Sequence, residues 1–129
     1  MANRYGEAAL MAARQGAIAN ISPWDTWEIA MEKLYPTSPI ARKKASSRNA
    51  FLGLCEAGLV KDIPAGEYGA TKESKGFAVR AVALLVEASQ PWSTSTLWKA
   101  VTNNSAKPHN GQLDVVMALW KNDLIVRNS

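Results

Sequence analysis

The chain has one cysteine and one histidine in 129 residues. A lone thiol excludes an internal disulfide and any zinc site built on several cysteines. Long hydrophobic runs are missing as well. None exceeds the length of Ala81-Val82-Ala83-Leu84-Leu85-Val86, which is far too short to span a bilayer. Near the N-terminus Arg4, Glu7 and Arg14 interrupt what a secretory signal would need as an apolar stretch. These absences predict a soluble, cytoplasmic protein in a reducing compartment, without a membrane partner. The sequence also lacks a Gly-rich phosphate loop ending in Lys-Ser/Thr, a His-Glu-x-x-His motif, a dinucleotide fingerprint and a nucleophilic Ser elbow. Its acidic residues are scattered, which gives no support to a two-carboxylate or two-metal centre. No catalytic residue, metal or cofactor is therefore assigned.

What is present suits a small helical protein. The hydrophobic fraction is 47%, enough for a core, and the net charge is +4. That charge permits a nucleic acid or an acidic protein as partner, yet falls short of a DNA-coating protein. An Ala-rich run predicts a first helix over residues 4–19, since alanine loses little side-chain entropy in a helix. Ser22, Pro23 and Asp25 form a helix start: a cap, a proline at the first position and an acid three residues after the cap. Trp24, Trp27, Met31 and Leu34 then share one helical face, and Pro36 ends it. Ser38-Pro39 restarts the chain, and a helix over 46–57 carries Phe51, Leu54 and Cys55 inward before Gly58 stops it. Residues 63–69 read as a turn-rich loop or a wing-like hairpin. Residues 72–76 read as a hinge, and 77–88 as the central buried helix. Ser93 to Thr96 offer caps for a helix bearing Leu97, Trp98 and Val101. Asn110 is placed to cap a last helix with Leu113, Val116, Met117 and Trp120 inward.

The order repeats. Ala50 to Val60 and Val115 to Ile125 are similar amphipathic runs, each ending in a turn-prone residue and a Leu with a β-branched partner. Pro23-Trp24 and Pro91-Trp92 precede them. The reading is a mainly α protein with little β structure. It comprises two tandem three-helix, winged-helix-like units over residues 1–71 and 72–129 that share a core. The short apolar tails that begin at Leu59 and Leu124 are candidates to pair with each other or with the loop after Val60.

The leading functional candidate is the basic group Arg42, Lys43, Lys44 and Arg48 with Asn49. Lys44 and Arg48 are four apart and share a helical face. Gly53 leaves room for a backbone or a phosphate to approach. Ser38 is a further phosphate donor. In a helix-turn-helix reading the cations contact phosphate and Asn49 reads a base edge; the plainer reading is a solvated basic face. A second group, His109, Asn110, Gln112 and Asp114, crowds polar side chains at a helix start. It reads either as a polar site or as a cap with a dipole partner. Cys55 with His109 is the minimum for nucleophilic catalysis, but Cys55 sits among apolar residues, where a free cysteine acts as a small hydrophobe. Among the five tryptophans, Trp24, Trp27 and Trp120 read as core. Trp92 and Trp98 read as partly exposed, suited to a protein partner or a stacked base.

Several stretches also resemble a family of small bacterial proteins of unknown function. They are Pro36-Thr37-Ser38, Arg42-Lys43-Lys44, Ala50 to Val60, Ile63 to Tyr68 and His109 to Trp120. The resemblance implies a bacterial or phage-borne cytoplasmic protein and carries over no functional residue. The expected function is non-catalytic nucleic-acid binding or regulation through the basic helix. A protein–protein interaction module is the alternative.

Overall fold

The computed structural model describes residues 4–19, 21–42, 45–88, 92–102 and 111–126, without the side chains of 17–19 and 41–42. Among these, six helices are joined by a single helical turn: α1 (Tyr5–Ala19), α2 (Pro23–Leu34), the turn α3 (Pro39–Arg42), α4 (Ala45–Glu56), α5 (Lys72–Glu87), α6 (Thr94–Val101) and α7 (Gln112–Lys121). The protein is mainly α.

Local chemistry sets the helix starts. The Ser22 hydroxyl accepts from the Asp25 amide at 3.4 Å while Pro23 occupies the first turn of α2. Thr71 and Ser93 cap α5 and α6 in the same way, accepting from the Ser74 and Thr96 amides. Two readings are thereby corrected. Residues 72–76 are the first turn of α5, because Thr71 caps the chain there and nothing breaks it afterwards. The helix start that the sequence places at Pro91-Trp92 is later, since Trp92 precedes the Ser93 cap of α6; Pro91 lies outside the described residues.

The most buried helix is α4. Ser47 and the run Asn49, Ala50, Phe51, Leu52, Gly53, Leu54 and Cys55 are all buried. It packs against α2, α5 and α7, which leaves little of its circumference to solvent. α5, expected at the centre, buries only Ser74, Ala78, Ala81, Val82 and Leu85, while Val86 is 42% exposed. The small and polar residues of α4 hide its centrality, because burial follows from neighbours on every side rather than from apolar content alone.

Both apolar tails leave their helices through a left-handed residue, Gly58 at φ +73° and Asp123 at φ +61°. The Leu59 amide then donates to the Leu54 carbonyl at 3.0 Å and that of Leu124 to Leu119 at 2.9 Å. The tails meet in one antiparallel bridge, Val60 with Ile125, flanked by Lys61 N–H to Leu124 O at 2.9 Å and Val126 N–H to Leu59 O at 2.8 Å. Lys61 adds an ion pair to Asp123 at 3.2 Å. No hairpin forms over 63–69. That loop is irregular and is held by Glu56, whose carboxylate accepts from the Tyr68 and Ala70 amides at 3.0 and 2.9 Å and pairs with Lys75 at 3.3 Å.

Candidate nucleic-acid interface

Of the basic group, Arg42 lies in α3 and Arg48 in the first turns of α4. Arg42 closes α3. Its side chain lies outside the described residues, as do Lys43 and Lys44. Arg48 is described, and its guanidinium carbon lies 4.3 Å over the Trp24 ring of α2. A cation over an indole face is attracted by the ring quadrupole and is held in one orientation. Among the described residues Arg48 forms no ion pair, and its buried Nε has no hydrogen-bond acceptor. Of the acids near this stack in sequence, one meets the ring itself and the other bonds to a helix cap. Glu28 accepts from Trp24 Nε1 at 3.1 Å, and Asp25 is bonded to the Ser22 hydroxyl at 3.2 Å. Trp24 is also met by Gly69, where a Cβ would stand 3.1 Å from Cε3 of the indole. Gly69 is at φ +97°, so the left-handed loop conformation and the lack of a side chain both serve that contact.

Other candidates fall differently. Asn49 is only 6% exposed and faces the interior of α4's packing, which removes it from base reading. Gly53 does allow a close approach, but to backbone: a Cβ there would lie 2.6 Å from the Lys75 Cα of α5. Ser38, in the turn before α3, uses its amide to reach the Tyr35 carbonyl at 3.3 Å. Cys55 is fully buried, and burial, helped by the adjacent Glu56 carboxylate, pushes its thiol far above the ordinary range. A buried protonated thiol is not a nucleophile. His109 and Asn110 lie outside the described residues. Gln112 is buried and Asp114 half-buried in the first turn of α7, next to Gly111 at φ +90°. A Cβ on Gly111 would lie 3.4 Å from that of Ser47, so the second polar motif adjoins the helix that carries Arg48.

Residues 2–126 match a family of unknown function (DUF6979). The chain belongs to that family. No curated protein and no solved structure matches it. In this DUF6979 chain no described helix is long and apolar enough to cross a membrane. Among the described residues no three His, Cys, Asp or Glu side chains gather as metal ligands.

The tryptophans redistribute. Trp27 is fully buried and stacks on Phe51 at 5.4 Å. Trp98, expected near the surface, is buried edge-on against Phe77 at 5.3 Å. Trp24 and Trp120, expected in the core, are only partly buried. Among the described residues the exposed large hydrophobics are Ile29, Ile40 and Val86, none of them aromatic. Trp24 is thus the functional candidate that the sequence concealed. Its three-four spacing with Trp27 and Met31 assigned it to the core, and only its position at the edge of that stripe hinted otherwise.

Proposed function

We propose that the protein is a non-catalytic nucleic-acid-binding protein whose contact surface is the corner formed by α2, α3 and the start of α4. One observation carries this reading: the Arg48 guanidinium is laid on Trp24 and, among the described residues, forms no ion pair, four to six residues along the chain from Arg42, Lys43 and Lys44. A stacked guanidinium keeps its outer N–H fork for phosphate while its rotamers are already restricted, so little entropy is lost on binding. Arg48 would contact the backbone, and Arg42, Lys43 and Lys44 would add charge along it. Asn49 takes no part, so affinity rather than base sequence is what this surface supplies. The two-unit, winged-helix-like description belongs to the same reading, as does the bacterial cytoplasmic setting that the resemblance implies.

The test is binding of labelled double- and single-stranded DNA and RNA across a salt series. Arg48→Ala should weaken binding to all sequences alike and reduce the slope of log K against log salt by about one. Absence of binding even at low salt would end the proposal and favour a protein partner.

A further inference from the structure

A second surface lies on the far side of α2. α1 and α2 leave a groove of about 190 Å³ between them, lined by Met11, Arg14, Gln15, Ile29, Ala30 and Lys33 with Thr26 at its end. By helical geometry its α2 residues sit about 120–180° around the helix from Trp24, so this is not the Arg48 corner. Its floor is dry in character. Ala30 is buried, and the Thr26 hydroxyl already donates to the Pro23 carbonyl at 3.1 Å. Ile29 is 39% exposed at the edge, an apolar side chain left to water. The charged side chains in the lining, Arg14 and Lys33, are both cations, both exposed, and neither forms an ion pair among the described residues.

We infer that this groove docks a short acidic peptide segment of a partner protein, with one bulky apolar side chain seated on Met11, Ile29 and Ala30 and flanking carboxylates on Arg14 and Lys33. The size decides against a cofactor or other small-molecule site, which usually needs about 300 Å³ or more. The groove is an anchor notch for a single side chain. The charge decides the flanks: two unpaired cations beside an apolar floor attract an acidic segment and repel a basic one. A nucleic acid would satisfy the cations but leave the apolar floor unused.

Selection of a random peptide library on the immobilised full-length protein tests this. Enriched peptides should carry Leu, Ile or Phe flanked by Asp or Glu. A synthetic consensus peptide should shift the methyl resonance of Met11 in methyl-labelled protein. The double variant Arg14→Glu, Lys33→Glu should bind that peptide roughly tenfold more weakly or worse, since two charge-assisted contacts are reversed. Both positions are exposed, and Ile29→Ser provides a second, charge-neutral variant with weakened binding. Arg48→Ala should leave peptide affinity unchanged, which separates this surface from the nucleic-acid one. Neutral or basic consensus peptides, equal binding to the double variant, or a Met11 shift produced by DNA or RNA alone would each overturn the inference.

Discussion

A methyl group added at position 53 would arrive 2.6 Å from the Lys75 Cα, and both atoms belong to helix backbones that cannot yield separately. Gly53→Ala should therefore force α4 and α5 apart and lower stability by about 1–3 kcal/mol in urea melts, the usual cost of overpacking. Gly76 gives the opposite expectation on the same pair of helices. It lies inside α5, and a Cβ there would meet nothing within 4 Å. Gly76→Ala should raise stability by about 0.5–1 kcal/mol, because glycine spends more backbone entropy in a helix than alanine does. If both variants shift stability in the same direction, the α4–α5 crossing is misplaced. The sequence shows a glycine in each helix and reads Gly53 as a place of close approach. It does not reveal that the visitor is α5 rather than phosphate, because the contact joins residues far apart in the chain. Trp24 and Asn49 mislead for a related reason. Three-four spacing fixes which residues share a face, but only the neighbours determine whether that face meets core or water.

At the level of elements, Glu56 ties three of them together: the end of α4, the loop 61–71 and the start of α5. Burial resists ionisation of this carboxyl, but the Ala70 and Tyr68 amides and the Lys75 ammonium outweigh it, and its pKa lies below the ordinary glutamate range. A depressed folded pKa stabilises the fold above the unfolded value, about 4.3, and that contribution is lost as pH falls through the folded one. Glu56→Gln should flatten this acid limb in a stability–pH profile, and Glu56→Ala should cost about 1.5–3 kcal/mol at neutral pH by orphaning two amides and a lysine. An unchanged acid limb in Glu56→Gln would mean that the loop is held by other contacts. The same loop brings Gly69 against Trp24, so the clamp also bears on the ring that supports Arg48. Sequence reading finds the helix starts at Ser22 and Ser93 and the stop at Gly58, since capping is local chemistry within a few residues. It misses the Thr71 start and takes 72–76 for a hinge. It reads 63–69 as a turn-rich loop or a wing-like hairpin and does not decide between them, because nothing local reveals that the Glu56 carboxylate will take the loop's amides.

The whole molecule is built by exchange between its halves. α1 packs on α7, and α4 packs on α5, so the first helix of each half lies against the last helix of the other. The two crossings correspond. Gly53 and Ala118 occupy matching places in the two similar runs; a Cβ on Gly53 would meet Lys75 of α5, and a Cβ on Gly6 of α1 would meet that of Ala118 at 3.0 Å. The antiparallel bridge between Val60 and Ile125 closes the arrangement where both tails emerge. The repeat is legible in the sequence because each run carries its own pattern and stop, whereas the exchange is not, because a pattern within one half is silent about which half will cover it. An exchanged core makes a definite demand on folding. A chain cut between Ala70 and Thr71 strips α5 from α4 at Gly53 and α1 from α7 at Ala118, so each fragment loses the partner that covers one side of its last helix. Each fragment alone should give little helical circular dichroism and no cooperative melt. An equimolar mixture should recover helix and dispersed methyl resonances, since the α1–α7 and α4–α5 surfaces are complementary between fragments. A cooperative transition in either fragment by itself would show two self-sufficient units. The corner bearing Arg48 and the α1–α2 groove could then be studied on the first fragment alone.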